Sequence, residues 1–318
     1  MKAFCISHVK DVDGISSAAL VVAAKGADFL LTDYGSVIED LGKVPDGIDE
    51  FVLCDIGSDE TSMDRFVEEL GRLAGRCSVT YIDHHHIPES AKRRIRARGV
   101  KFVHDTSECA SMLTYRTLRN SLPQEASYLA LYGAVTDYMD DSPMAKKLME
   151  RTDRQFVLAC ASLLSHAVSR KGDESGYPEM LVKELAGMKF PHRIDEVVKH
   201  AVDQMDTVVG LMEIVGRKGR KLRGLAYMDT TEHSTGNVAK LLIGAFGVRA
   251  GVSYREREKG WMEVSVRGTS DCRAHLGVAM GRISKRLGGS GGGHRRAAGG
   301  RVPAGRIGEL LEALSRAV

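Results

Sequence analysis

Four short segments of the sequence contain carboxylates and imidazoles at spacings that suit metal binding. They are His8-Val9-Lys10-Asp11-Val12-Asp13, Leu53-Cys54-Asp55, Asp83-His84-His85-His86 and Thr136-Asp137. Mixed carboxylate and imidazole ligands favour manganese, with iron, cobalt or magnesium as alternatives. Four aspartates balance the charge of two divalent cations, and such a pair can generate a hydroxide nucleophile at neutral pH. The four segments together predict a centre of two divalent cations.

Each segment taken alone also has a structural interpretation. Asp11 and Asp13 could form a turn and a helix N-cap, and Asp55 could end a strand before Gly57. The consecutive histidines after an apolar strand fit such an interpretation less well. Asp137 sits in an otherwise apolar predicted helix, residues 124–138, where a carboxylate needs a partner for its charge. The convergence of the four segments is therefore what favours a metal site.

The elements that would position these residues alternate between strands and helices. Short apolar runs predict strands at residues 2–7, 28–32, 51–54, 79–82 and 100–104. Helical periodicity between them predicts an α/β fold, with an N-terminal parallel sheet flanked by helices. Ligands of such sheets bind outside the carboxyl ends of the strands. Asp11 and Asp13, Asp55, and Asp83 with His84 each follow a predicted strand.

The second half of the chain predicts a helical region and then a smaller C-terminal α/β domain. We place the catalytic domain at 1–187, a linker helix at 188–207 and the second domain at 208–318. The predicted strands of the second domain are 208–215, 222–228, 248–255 and 262–267, and its helices are 235–246 and 272–287. The basic run 217–223 then forms a hairpin tip, for which a solvated turn is favoured over a nucleic-acid contact.

A glycine-rich segment, residues 288–293, precedes His294, Arg295 and Arg296. Its position between two helical patterns predicts an ordered loop rather than a flexible linker. Glycines allow backbone N–H groups to approach a phosphate closely. The segment therefore predicts a phosphate-binding loop.

These motifs resemble those of the DHH family of phosphoesterases. The Asp-His-His triplet is Asp83-His84-His85, and residues 291–299 resemble the Gly-Gly-Gly-His-x-x-Ala-Ala-Gly signature of the DHH-associated domain. Ser265-Val266-Arg267 resembles the family's Ser-x-Arg strand. The resemblance covers essentially the whole chain and implies two domains across a cleft. The family includes RecJ-like exonucleases, oligoribonucleases, cyclic-dinucleotide phosphodiesterases and manganese pyrophosphatases.

The resemblance implies a role for each motif residue. One ion would be held by His8, Asp11 and Asp55, and the other by Asp13, Asp55, His84 and Asp137, with Asp55 as a bridge. His85 would contact the scissile phosphate, and Asp83 would orient the histidines. The residues implied to bind substrate are Arg267, Gly291, Gly292, Gly293 and His294. Two residues separate His8 from Asp11, whereas many members have three, and the shorter spacing occurs in RecJ-like relatives.

The expected activity is a two-metal phosphodiesterase or exonuclease that hydrolyses short oligonucleotides or linear dinucleotides to mononucleotides. Manganese is the expected ion, with magnesium or cobalt as alternatives. One alternative is a RecJ-like exonuclease on longer single-stranded DNA or RNA, which the 6% aromatic content and the single Trp261 disfavour. The other is an inactive nucleotide-binding or replication-complex protein, which the full ligand set disfavours.

Composition and the N-terminal sequence limit the partners. The 318 residues carry a net charge of +3, which neither requires nor excludes nucleic acid. Residues 1–7 do not resemble a signal peptide, and no apolar run reaches the roughly 20 residues of a membrane span. We expect a cytoplasmic protein with no membrane partner, and a homodimer is left open.

Overall fold

The computed structural model describes residues 2–58, 62–231, 234–293 and 295–318. The chain divides into two compact units, Met1–Met205 and Asp206–Val318. No helix in these described ranges is long and apolar enough to cross a membrane. Each unit has its own sheet and its own hydrophobic core.

The N-terminal unit is built on five parallel strands in the order β2-β1-β3-β4-β5. They are β1 (Ala3–His8), β2 (Asp28–Thr32), β3 (Glu50–Cys54), β4 (Ser78–Asp83) and β5 (Lys101–His104). All five predicted strands are therefore present. Because β1, β3 and β4 are neighbours, their carboxyl ends lie side by side at one edge of the sheet.

Helices cover both faces of this sheet. They are α1 (Val12–Lys25), α2 (Val37–Gly42), α3 (Met63–Ala74), α4 (Glu89–Ala97), α5 (Ala110–Leu118), α6 (Ala126–Thr136), α7 (Pro143–Met149), α8 (Arg154–Lys171) and α9 (Tyr177–Ala186). Strand side chains alternate between two cores, as on β3, where Val52 faces α1 and α5 while Phe51 and Leu53 face α2 and α3. Burial on both faces explains why these strands are continuous apolar runs. The predicted fold class is confirmed.

The C-terminal unit contains a six-stranded mixed sheet in the order β10-β11-β9-β8-β7-β6. The strands are β6 (Arg220–Leu222), β7 (Leu225–Asp229), β8 (Ala250–Glu258), β9 (Trp261–Gly268), β10 (Ser290–Gly293) and β11 (Ala297–Pro303). Three helices pack on it, namely α11 (Thr235–Phe246), α12 (Leu276–Arg286) and α13 (Ile307–Ala317).

The predicted strand at 208–215 is wrong, because these residues belong to helix α10 (Val197–Lys218). Leu211 and Val215 are buried four residues apart, which is a helical spacing, in the core that also contains Met228. Packing of this face overrides the strand preference of the valines. The hairpin is instead formed by β6 and β7, with Gly224 in the left-handed region at its turn.

The glycine-rich segment forms strand β10 rather than a loop. It pairs with β11, and α12 packs closely against it. A Cβ at Gly277 of α12 would overlap the carbonyl oxygen of Gly293, and one at Gly281 would lie 3.2 Å from the carbonyl oxygen of Gly291. Close approach of helix and strand backbones is therefore one reason for the glycines here.

We predict that Gly277→Ala lowers the free energy of unfolding by about 1–3 kcal/mol, because the added methyl group overpacks the contact between α12 and β10. Urea unfolding followed by circular dichroism measures this change. Gly244→Ala in α11 is the matched control, since a Cβ at that position meets nothing within 4 Å. Equal stability of the two variants would show that the close helix–strand contact is not present.

Candidate metal centre

The first two candidate ligands lie where β1 turns into α1. His8 ends β1, and Asp11 is the N-cap of α1, where its Oδ1 accepts a hydrogen bond from the Gly14 N–H at 2.9 Å. The other oxygen, Oδ2, lies 2.9 Å from Nδ1 of His8. A Cβ at Gly14 would overlap the carbonyl oxygen of His8, so glycine permits this tight turn.

Asp13, in the first turn of α1, is held by the N-terminus of another helix. Its two carboxylate oxygens accept hydrogen bonds from the N–H groups of Ala110 at 2.8 Å and Ser111 at 2.9 Å, at the start of α5. Positive charge at a helix N-terminus stabilises this buried carboxylate. A Cβ at Gly133 of α6 would overlap both Oδ1 of Asp13 and Oγ of Ser111. Three helices therefore fix the position of Asp13.

Asp55 lies in a strained conformation directly after β3. Its φ angle is +55°, which non-glycine residues rarely adopt, and it is 1% exposed. Its Oδ1 atom is buried and accepts no hydrogen bond within the described part of the chain. A buried carboxylate oxygen without a donor is unfavourable unless a cation completes its environment. Such strain and missing donors are typical of functional sites.

Asp83 is fully buried and organises the two histidines that follow it. Its Oδ1 accepts hydrogen bonds from the His84 N–H at 2.8 Å and from Nδ1 of His85 at 2.8 Å. Its Oδ2 accepts a hydrogen bond from the Tyr81 hydroxyl at 2.7 Å. Because Asp83 accepts from His85 Nδ1, that nitrogen carries the proton and Nε2 faces away from Asp83. This arrangement agrees with the predicted orienting role of Asp83.

The six expected ligands converge in one cluster. Nε2 of His84 lies 3.4 Å from Oδ1 of Asp55, 3.6 Å from Oδ2 of Asp137 and 3.9 Å from Oδ2 of Asp13. Nδ1 of His8 lies 3.8 Å from Oδ2 of Asp55. Three overlapping groups have ligand atoms close enough to share an ion: His8 with Asp11 and Asp55, Asp13 with His84 and Asp137, and Asp55 with His84 and His85.

Crowding of carboxylates dominates the electrostatics of this cluster. Burial, together with the neighbouring carboxylates, raises the pKa of Asp55 well above its usual range. Burial and the charges of Asp13 and Asp11 raise the pKa of Asp137 to about 8. Both shifts express the free energy required to hold several negative charges in a small buried space. Positive charge placed among these oxygens would remove that penalty.

The histidines divide into a neutral one and a charged one. Burial lowers the pKa of His84, which favours the neutral imidazole that a metal ligand requires. Burial also disfavours the charged form of His85, but the hydrogen bond to Asp83 and the charges of the surrounding carboxylates together outweigh it and raise the pKa to about 9. For Asp83, burial acts to raise the pKa, but the hydrogen bonds from His85 and Tyr81 and the charge of His85 together outweigh it and lower the pKa to about 2. His85 and Asp83 therefore form a charged pair beside the ligand cluster.

The donor set fits two divalent cations. Four carboxylates and two imidazoles are available, and Asp55 lies in two of the three groups. Its Oδ1 has no hydrogen-bond donor among the described residues and lies 3.4 Å from Nε2 of His84. These features suit a carboxylate that is shared by two ions.

Tyr34, two residues beyond β2, is a member of the site that the sequence interpretation missed. Its hydroxyl lies 2.9 Å from Nε2 of His85, and its ring makes edge contacts with His8 at 5.2 Å and His85 at 5.8 Å between centroids. The residue is 49% exposed, so it borders the cluster on the solvent side. Its position after a strand, at the edge where the other candidates lie, was the available signal.

The predicted substrate-binding residues lie in the C-terminal unit. Arg267 and Gly293 are on strands β9 and β10, which flank the Ala297–Ala298 segment of β11. Arg267 approaches Gly236 in the first turn of α11, and its Nη1 donates a hydrogen bond to the carbonyl of Val266 at 3.0 Å. Gly291 and Gly292 precede Gly293 in β10, whereas His294 lies outside the described residues. The substrate-binding role of this group stays a prediction.

Comparison with known proteins identifies the fold. Residues 224–318 match the family model of the DHHA1 domain, while no curated protein matches the chain. The pGpG-specific phosphodiesterase PggH from Vibrio cholerae is 17% identical, with a TM-score of 0.58 over 99% of this chain and 98% of that chain. The DHH domain of PF0399, described as a member of a family of ribosomal proteins, is 15% identical, with a TM-score of 0.72 over 99% and 86%.

RecJ from Thermus thermophilus, solved with Mn²⁺, is 18% identical, with a TM-score of 0.66 over 99% of this chain but only 51% of RecJ. A second structure of that RecJ contains Mg²⁺. At these identities the likeness establishes the fold. The resemblance to the DHH family, expected from the motifs, is confirmed.

We predict that Asp55→Asn stabilises the metal-free protein by about 1–3 kcal/mol at pH 8. A carboxyl whose pKa is raised on folding destabilises the fold above its unfolded pKa, so the gain should shrink as pH falls towards 4. Added MnCl2 should stabilise the wild type much more than this variant.

Urea unfolding in EDTA and in MnCl2 measures both effects, with Asp141→Asn at an exposed position as the control. The electrostatic interpretation fails if Asp55→Asn is less stable than the wild type in EDTA, or if manganese stabilises both proteins equally.

Proposed function

We propose that this chain, which has the fold of the DHH-family phosphoesterases and ends in a DHHA1 domain, is a two-metal phosphodiesterase. Its substrates would be short oligonucleotides or linear dinucleotides, which it hydrolyses to mononucleotides. The observation that carries the proposal is the clustering of the six ligands in overlapping groups, with a buried Oδ1 atom of Asp55 that lacks a donor among the described residues. Loss of activity in such a fold would be expected to remove ligands, and here the full set is present.

The ligands divide between two ions through the shared Asp55. We assign one ion to His8, Asp11 and Asp55, and the other to Asp13, Asp55, His84 and Asp137. Divalent cations held there would lower the pKa of a bound water and stabilise charge on the phosphoryl oxygens. Manganese is the ion we favour, with magnesium or cobalt as alternatives, because the ligands mix carboxylates with imidazoles. The structures of RecJ with Mn²⁺ and with Mg²⁺ support divalent cations as the ligands of such a site.

His85 and Tyr34 would act on the substrate phosphate rather than on the ions. His85 carries positive charge beside the cluster because Asp83 stabilises its protonated form. Its Nε2–H then donates to the Tyr34 oxygen, and the hydroxyl proton of Tyr34 is left to donate to an anion. Charge developing on phosphoryl oxygens would be stabilised by such preorganised donors.

The choice of a short substrate has two supports. PggH, whose name gives pGpG as its substrate, aligns over nearly its whole length. The C-terminal unit also has the features expected for holding a single terminal nucleotide, namely Arg267 beside the α11 N-terminus and the exposed glycines Gly291 and Gly293. An exonuclease on longer single strands is the second candidate, because RecJ shares the fold.

We predict that Asp137→Ala lowers kcat for pGpG hydrolysis in MnCl2 on the order of 10³-fold or more, since one ion loses a carboxylate ligand. Asp141→Ala, an exposed aspartate four residues away, should retain wild-type activity. Rates on single strands of increasing length then distinguish the candidates, with a decline favouring the short substrate. Activity of Asp137→Ala within severalfold of the wild type would exclude the proposed centre.

Tyr34→Phe should lower kcat about tenfold, with the affinity for Mn²⁺ unchanged. The variant keeps the ring against His8 but removes the hydroxyl, and with it both the hydrogen bond to His85 and the donor proposed for the substrate phosphate. A hydrogen bond to a charged group is worth about 1.5–3 kcal/mol. Tyr128→Phe, in an aromatic cluster beside Phe156 and Phe190, is the control. Steady-state kinetics and manganese titration measure the two quantities. An unchanged kcat would remove Tyr34 from the site.

A further inference from the structure

A cavity of about 650 Å³ opens at the β6 edge of the C-terminal sheet. Its walls include three cationic residues, Arg217, Lys218 and Arg220, and two aromatic ones, Tyr227 and Tyr254. The cavity lies wholly within the C-terminal unit. The hydrolytic mechanism proposed above uses none of these residues.

The cationic wall consists of solvent-exposed side chains. Arg217, Lys218 and Arg220 are exposed, and none of them forms an ion pair within the described ranges of the chain. Arg220 is paired with Tyr227 across β6 and β7, whereas the next residue, Lys221, donates its Nζ to the carbonyl of Phe246 at 3.1 Å. Side chains of adjacent strand residues point to opposite faces of a sheet. Arg220 therefore points away from Lys221, towards the face on which the tyrosines lie.

The two tyrosines of the aromatic wall pack against the hydrophobic core on one side and line the cavity on the other. Tyr227 and Tyr254 are half-buried and pack against the core beneath α12 and α13. Asp229, which also lines the cavity, lies directly opposite Tyr254 in the β7–β8 pairing. Burial and the Asp229 charge raise the pKa of the Tyr254 hydroxyl, so it remains a donor. The cavity thus offers rings, cations and one carboxylate acceptor in a single space.

This cavity is distinct from the place where Arg267 lies. In the pairing of β8 with β9, Gly251 is opposite Arg267 and Tyr254 is opposite Val264. Gly251 faces α11, because a Cβ there would overlap the carbonyl oxygen of Ala239. Tyr254 is three residues away and therefore on the other face. A ligand of the cavity and a ligand of Arg267 would occupy opposite faces of the sheet.

We propose that the cavity is a second nucleotide-binding site, which holds one nucleoside phosphate unit of a single strand. The phosphate would contact Arg217, Lys218 and Arg220, and the base would stack on Tyr254 or Tyr227. Asp229 would accept hydrogen bonds from ribose hydroxyls or from an exocyclic amino group of the base. The choice of nucleic acid as ligand rests on the proposed phosphodiesterase function, and the site would allow the protein to retain strands longer than a dinucleotide.

The test measures binding without turnover. A fluorescein-labelled oligoadenylate of about 12 nucleotides is titrated with the full chain in EDTA, and fluorescence anisotropy is recorded at several salt concentrations. The charge variant is Arg217→Ala with Arg220→Ala. The control is Arg282→Ala, which removes an exposed charge from α12 in the same unit.

The charge variant should bind at least about tenfold more weakly than the control, and its salt dependence should fall by about 0.7 per lost phosphate contact. Tyr254→Leu should weaken binding about fivefold or more, whereas Tyr254→Phe keeps the ring and should bind like the wild type. All variants should hydrolyse pGpG at the wild-type rate. If the charge variant binds with the affinity and salt dependence of Arg282→Ala, the cavity is not a nucleotide site.

The same variants separate this proposal from the hydrolytic one. Wild-type protein that binds the oligonucleotide but does not hydrolyse pGpG in MnCl2 would contradict the phosphodiesterase and leave the cavity site standing. If the wild-type protein hydrolyses pGpG but every variant binds the oligonucleotide equally, the cavity site is contradicted and the phosphodiesterase proposal remains.

Discussion

The N-terminal unit depends on holding several carboxylates together in a buried space. Asp13 and Asp55 are almost inaccessible to solvent, and Asp11 and Asp137 lie within reach of the same imidazoles. Negative charges at these separations repel each other strongly where the local dielectric constant is low. The raised pKa values of Asp55 and Asp137 record that repulsion. Divalent cations held there, as proposed, would relieve this repulsion.

Hydrogen bonds around the cluster hold several of these carboxylates in place despite their repulsion. Asp13 is held by N–H groups at the start of α5, Asp11 caps α1, and Asp83 is neutralised by its hydrogen bonds to His85 and Tyr81. These contacts fix the carboxylates before any ion binds, which reduces the entropy lost on binding. Asp55 is the exception, because its φ angle is strained and its Oδ1 has no donor among the described residues, so in the proposed centre it would depend on the ions.

Much of this site could be predicted from sequence because local motifs supply it. Each ligand segment follows an apolar run that is buried on both faces, and parallel strands bring their carboxyl ends to one edge. The contact of Asp13 with Ala110 and Ser111 joins residues distant in the chain, and no local pattern indicates it. Tyr34 is a single aromatic residue in a polar turn, and its position after a strand indicates only the edge of the sheet, whereas its contact with His85 is visible only in the structure.

Two elements of the C-terminal unit differ from their prediction because packing between residues distant in the sequence determines them. The strand predicted at 208–215 is helical because burial of Leu211 and Val215 outweighs the preference of valine for strands. The glycines at 291–293 suggested a phosphate-binding loop, but they form a strand that α12 approaches closely. Tertiary packing decides both cases.

The most direct test of the account is electron paramagnetic resonance of the manganese-loaded protein, together with metal analysis. Two ions that share the Asp55 carboxylate should be magnetically coupled, so we expect two bound manganese ions per chain and the spectrum of an exchange-coupled pair. A single bound ion per chain, or two ions with the spectrum of isolated Mn²⁺, would contradict a shared centre at this edge of the sheet.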